Sequence, residues 1–204
     1  MFGDPIIGSE KYPLKILADV CNLIQDGEHT SVKRVDGGNL FISSRNIKAN
    51  HDIVLDAVSY ISDDDFARIQ KRFNPTKGDI IITCAGTIGN SAVVPEMQPF
   101  VADRGIALLR PNYTVINTRY LHACIKSMFL QKQMQSSVHA TALAHLYLNK
   151  IKTIRLIVPP MELQEQFSLL DEQLDKSKVV GKMQRISLEK IAHSDILSWR
   201  LALP

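Results

Sequence analysis

An α+β protein is what the sequence predicts: a small, mixed or antiparallel β-rich domain with packed helices over residues 1–160, then a long, coiled-coil-forming C-terminal helix over residues 161–204. Three observations carry this. Short β-branched runs bounded by Gly, Pro and Asp recur between Leu40 and Pro111, as strands and turns require. The stretch Asn117–Gln135 repeats apolar residues at helical spacing. After Pro159-Pro160, Leu163, Phe167, Leu170 and Leu174 stand 4, 3 and 4 residues apart, the seam of a heptad repeat.

Tyr12–Asn22 alternates weakly and predicts a short strand or helix running into a turn at Asp26-Gly27. Asp36-Gly37-Gly38 marks a second turn and Leu40–Ser43 a strand, followed by a polar loop. Ser62 has the chemistry of a helix N-cap, and Asp63, Asp64 and Asp65 suit the positive end of the helix dipole, so this acidic run predicts a helix start and not a metal site. Ile80–Thr83 and Ser91–Val94 predict the arms of a hairpin, and Gly105–Arg110 a third strand ending at Pro111. Asn117 caps one amphipathic helix, with Leu121, Ile125 and Phe129 on a stripe beside Tyr120, Cys124 and Met128, packed on that sheet. The segment 136–150 fits no single template, and Ile151–Val158 predicts a strand stopped by two prolines. In the tail the apolar pattern resumes one residue late at Val179, Met183 and Ile186, near Gly181, which predicts a stutter or bend. A helix from Met161 to Trp199 would reach roughly 58 Å at 1.5 Å per residue.

The 204 residues are enough to bury a core without staples. Cys21, Cys84 and Cys124 are odd in number and widely spaced, which indicates neither a disulfide framework nor a zinc site and points to a reducing cytoplasm. No apolar run reaches the ~20 residues of a membrane span, so no membrane partner is expected. Residues 1–160 carry 18 Lys and Arg against 14 Asp and Glu, a balance of +4, and residues 161–204 carry 6 against 7, a balance of −1. A mildly basic body permits a polyanionic partner without requiring one.

Catalytic signatures are missing. Gly86-Thr87-Ile88-Gly89 has neither the spacing nor the Lys-Ser/Thr of a phosphate loop. No carboxylate pair stands at the spacing of a metal-dependent nuclease, and no glycine-rich strand-to-helix turn offers a methyl-donor site. His139 and His145 stand six residues apart without a Cys or carboxylate at ligand spacing. Neither metal nor cofactor is expected. What remains are polar and basic loop residues: Lys33, Arg34, Ser43, Arg45, Asn46 and Lys48 around the first strand, Thr87, Asn90 and Arg104 around the hairpin, and His139, Thr141 and His145 beyond it. Arg and Lys suit guanine edges, Asn suits adenine, and Ser or Thr suit phosphate or base. Exposed loops are also polar for no functional reason, so the ensemble carries the case for DNA and no single residue does.

Four segments in order resemble a known family. "ILADVCNLIQDGEHTS", "GDIIITCAGTIGNSAVV", "RGIALLRP" and "LNKIKTIRLIVPPMELQEQ" are similar to the opening strand and Asp-Gly-x-His turn, the central Gly-Asp hairpin, the following strand and the lead into the spacer helix of type I restriction-modification specificity subunits. The resemblance covers one half of such a subunit: a target recognition domain and a spacer helix. It implies a non-catalytic chain that reads one half of a two-part double-stranded DNA site and directs adenine methylation by a modification subunit, with the restriction and translocation subunit engaged indirectly. It also implies that Leu163, Phe167, Leu170, Leu174, Met183 and Ile186 face a partner helix, from a second half-subunit or a second copy. An assembly-only or silent cassette, which binds the modification subunit without directing methylation, is the alternative. "MFGDPIIGSEKYP" resembles the join after a preceding half-subunit, and "HSDILSWRLALP" departs from the family's usual helix finish. The glycines at 86 and 89 are expected to let the hairpin tip approach DNA or a neighbouring loop closely, or simply to close a tight turn.

Overall fold

The computed structural model describes residues 11–137 and 144–177. Ile80, Ile81 and Ile82 form a continuous apolar run because both faces of their strand are covered. This strand, β5 (Ile80–Thr83), lies inside a four-stranded antiparallel sheet between β6 (Ser91–Val93) and β8 (Ile106–Pro111), and β2 (Cys21–Asp26) flanks β8. The hairpin register pairs Ile81 with Ala92, and β8 sets Leu108 against Ile81. Ile81, Ala92, Ile106 and Leu108 join one core cluster. Ile80, Ile82, Ala107 and Leu109 are also fully buried.

That cluster is completed by a three-stranded sheet, in which β3 (Asn39–Ile42) runs between antiparallel β4 (Ser59–Ile61) and parallel β7 (Phe100–Ala102). α2 (Asp63–Gln70) adds Ile69, and Phe73 follows it into the same core. Ser62 Oγ accepts the Asp65 N–H at 3.3 Å, the N-cap that the sequence calls for, with the three aspartates in the first turn. Leu14–Ile16 (β1) pairs antiparallel with Arg155–Ile157 (β9), and a single helical turn, α1 (Leu17–Val20), joins β1 directly to β2.

Two expectations are corrected. The amphipathic segment after Asn117 is two helices, α3 (Thr118–Lys126) and α4 (Met128–Ser136), because Ser127 adopts extended backbone between them. Its hydroxyl donates to the Cys124 carbonyl at 2.6 Å and accepts the Leu130 N–H at 3.4 Å, satisfying both helix ends. Met128 consequently leaves the buried stripe and is 71% exposed. The strand expected over 151–158 is also shorter: Leu148–Lys152 forms α5, and extended backbone begins only near Arg155.

The chain divides into two compact units, Met1–Gln164 and Glu165–Pro204. The first ends on a buried amide. Gln164 accepts the Asn117 N–H at 2.9 Å and donates to Val115 O at 3.1 Å and Pro159 O at 2.8 Å. One side chain thus ties the residues after Pro159-Pro160 to the start of α3, and no polar atom is left to pay a desolvation cost. Residues 161–177 are helical. Along them Leu163 and Phe167 are half-buried, while Leu170 and Leu174 are exposed, as is Leu169 beside the seam. Met183 and Ile186, and the expected bend near Gly181, lie outside the described residues. Among the described residues no helix is long and apolar enough to cross a membrane.

Candidate functional site

The Asp26–Thr30 turn is held from behind by α2 and the residues just after it. Arg68 and Arg72 stand four apart and reach the same turn. Arg72 donates to Asp26 Oδ1 at 3.1 Å and to Gly27 O at 2.5 Å; Arg68 reaches Glu28 Oε2 at 3.3 Å and Asp65 Oδ1 at 3.0 Å. Burial alone would raise the Asp26 carboxyl, but its hydrogen bonds to His29, at 2.6 Å, and Arg72 hold it below the ordinary carboxylate range. Glu28 behaves alike: burial is outweighed by the hydroxyl and N–H of Thr30, at 2.6 and 2.8 Å, and by the nearby arginines. Both carboxylates are therefore ionised and neutralised within the fold.

In front of this turn lies an open groove of about 740 Å³. Its walls include Asp26 and His29 from the turn, Gly86 after β5, Arg104 between β7 and β8, and His145 and Tyr147 before α5. Backbone bonds assemble these distant pieces: Cys84 N–H to Gly105 O at 2.7 Å, Leu146 N–H to Cys84 O at 2.8 Å, and an isolated antiparallel bridge between Ala85 and His145. The His145 ring packs edge-on to Tyr147 with centroids 4.8 Å apart. Burial, then the positive charge of Arg104, holds the His145 imidazole below its usual value, so it stands neutral near pH 7.

Asp103 gathers the basic residues. Burial raises its carboxyl above the usual range, against the Gly105 N–H and the nearby charges of Arg34, Arg45 and Arg104. Three guanidiniums, two of them far from Arg104 in sequence, thus act on one carboxyl next to a groove-lining residue. Arg34 lies 4.0 Å from the centroid of the Phe41 ring and donates to Val32 O at 3.1 Å. Among the described residues, no carboxylate lies within ion-pair distance of Arg45 or Arg104.

Of the residues singled out in the sequence, Arg104 and His145 line the groove. Thr87 is exposed on the hairpin tip beside Gly86, and Ser44, next to Arg45, packs near Gly86. Lys33 and Lys48 are exposed and are not part of the groove lining. His139 and Thr141 lie outside the described residues. Three of these side chains also serve the fold. Asn46 is 4% exposed, accepts from the Ser43 N–H and hydroxyl at 3.0 and 3.2 Å, and donates to Val54 O at 2.9 Å. The Ser43 hydroxyl thus donates within its own turn, and Asn90 donates to Ile47 O at 3.2 Å. Conversely, His29, Tyr147 and Asn149 line the groove without having been selected; the Asp-Gly-x-His wording was the available signal for His29.

The hairpin tip also has an answer. Gly89 (φ +90°) is buried against α4, where Gln131 donates to its carbonyl at 3.0 Å, and a Cβ there would lie 2.5 Å from Gln131 Oε1. The tip's close approach is thus to a helix of its own fold. Among the described residues, no group of His, Cys, Asp and Glu is arranged to hold a metal ion.

Comparison with known proteins bears on this geometry. A family model described as the type I restriction modification DNA specificity domain matches residues 10–191. The Escherichia coli type I restriction enzyme EcoBI specificity subunit is 30% identical over 104 residues, which are 51% of this chain and 22% of that protein. The HsdS subunit from Thermoanaerobacter tengcongensis shares the fold at a TM-score of 0.63 and 18% identity, over 91% of this chain and 47% of that one. The S subunit from M. genitalium does so at 0.52 and 12% identity, over 81% and 40%. The chain spans under a quarter of the length of the Escherichia coli relative and under half of those two solved chains.

Proposed function

The chain belongs to the type I restriction-modification DNA specificity domain family, and on that premise we propose that it is a sequence-specific reader of double-stranded DNA. It is one target recognition domain with its spacer helix, acting as a half-subunit. It is non-catalytic and cytoplasmic, and it directs adenine methylation by a modification subunit to one half of a two-part site, with the restriction subunit recruited through that complex. The exposed leucines at 170 and 174 supply the seam for a second half-subunit or a second copy. The division of labour follows residues 1–160 and 161–204.

One observation supports this reading most. The carboxylates of the Asp26–Thr30 turn are neutralised by Arg68 and Arg72, while the groove lining includes the guanidinium of Arg104, and Arg34 and Arg45 share with it the neighbourhood of Asp103. A groove whose lining carboxylate is already paired, and whose Arg104 is exposed without an ion-pair partner among the described residues, suits a polyanion. Lys33, Arg45 and Lys48 are the phosphate-contact candidates, since each is exposed and, among the described residues, has no carboxylate within ion-pair distance. Replacing all three with Gln is expected to weaken binding by the assembled complex uniformly across DNA sequences. The slope of log affinity against log salt should become shallower by up to about 3, at roughly 0.9 per lost phosphate contact. A titration across a salt series reads this, and an unchanged slope rejects the placement.

A further inference from the structure

Arg104 sits on a stretch of backbone tied at every residue. Asp103 N–H donates to Ile42 O at 3.0 Å, Arg104 N–H to Glu28 O at 2.9 Å, Gly105 N–H to Asp103 Oδ1 at 2.9 Å, and Ile106 N–H to Asp103 O at 3.1 Å. Gly105 O in turn accepts the Cys84 N–H. The Arg104 Cα is therefore fixed to three separate stretches of chain: the end of β3, the Asp26–Thr30 turn and the segment after β5. The residue is nevertheless exposed.

Of the other arginines near the groove, Arg45 is exposed and lines none of it, and the remaining three are engaged. Arg68 and Arg72 pair with the turn carboxylates, and Arg34 lies over Phe41. Asp26, the carboxylate lining the groove, is occupied by His29 and Arg72 and does not compete for Arg104. Arg104 thus presents a planar fork of donors from a fixed base. Two acceptors on one base edge, at the spacing of that fork, are the O6 and N7 of guanine. A phosphate contact needs only a mobile cation, which the outer lysines already offer; a rigid pedestal is what base readout requires.

Resting on the reading of this groove as a duplex-DNA surface, we propose that Arg104 is a specificity-determining residue that reads a guanine within the half-site. The test uses the full chain assembled with its modification subunit and a library of duplexes randomised over the half-site. The wild-type complex is expected to select guanine at a given position. Arg104→Gln should lower that preference about tenfold to a hundredfold while the other positions keep theirs. Arg104→Lys should retain overall affinity, because charge is kept, and still lose part of the discrimination, because the fork is not. A half-site without guanine, an unchanged motif in both variants, or an affinity loss spread equally over all sequences overturns the assignment and leaves DNA recognition standing. A wild-type complex without any sequence preference overturns both.

Discussion

Asp79→Ala is expected to lower the folding stability of the full chain by about 3 kcal/mol or more. Asp79 is completely buried, and Arg110 grips it with Nε at 3.0 Å from Oδ1 and Nη2 at 2.7 Å from Oδ2. The same carboxylate accepts the Thr76 N–H at 2.8 Å and its hydroxyl at 3.1 Å. Removal takes the acceptor from the Thr76 N–H and the counter-charge from the guanidinium, which keeps only its bond to Asn74 O at 2.7 Å and a long one to the Thr76 hydroxyl at 3.4 Å. Breaking a buried pair on one side costs about 3–5 kcal/mol, and the lower end applies because Arg110 is partly exposed and can turn towards water. Replacing both partners with apolar residues, Asp79→Leu with Arg110→Met, should restore much of the loss, since no charge is then left uncompensated. Urea denaturation of the wild type, both single variants and the double variant provides the cycle. A single variant within about 0.5 kcal/mol of wild type would contradict the account of this pair.

Gly27→Ala is expected to be at least as damaging, by about 3 kcal/mol or more, for a different reason. A Cβ on Gly27 would lie 2.1 Å from Asp103 O and 2.4 Å from Ala102 O, both backbone atoms that cannot swing aside. Relieving the overlap means separating the Asp26–Thr30 turn from the β7–β8 connection. That separation breaks the Gly27 N–H bond to Ile106 O and the Glu28 N–H bond to Ala102 O, at 3.0 and 2.7 Å. The variant therefore loses stability and the groove together, because Arg104 hangs from the same backbone. Gly37→Ala is the control: no heavy atom lies within 4 Å of the added methyl, and stability should stay within about 0.5 kcal/mol. Equal unfolding midpoints for the two variants would refute the close-approach argument.

These two positions show what the sequence makes legible. Asp26-Gly27 reads as a turn from local chemistry, and a turn it is, but the need for glycine comes from a strand that arrives some 75 residues later. Ser62 and Asn117 were legible as caps because a cap is a contact between neighbours; Asn117 accepts the N–H groups of Arg119 and Tyr120 at 2.9 and 3.1 Å. The β5–β6 hairpin was legible for the same reason. The parallel pairing of β3 with β7 was not, since each strand is short and their union is decided by tertiary packing. Among the residues chosen by type, Arg104 and His145 line the groove, whereas Asn46 and Asn90 have the same type and donate to nearby carbonyls of the fold. His29, Tyr147 and Asn149 escaped notice because the groove draws on four separated stretches of chain, which only the tertiary fold brings together.

The central claim is that this chain supplies DNA sequence specificity. A genome-wide map of methylated adenines, in cells carrying the gene with its modification subunit and in cells lacking only this gene, tests it most directly. The account predicts a two-part methylated motif that disappears with the gene. An identical map in both, with the protein demonstrably expressed, would contradict it and favour an assembly-only or silent cassette.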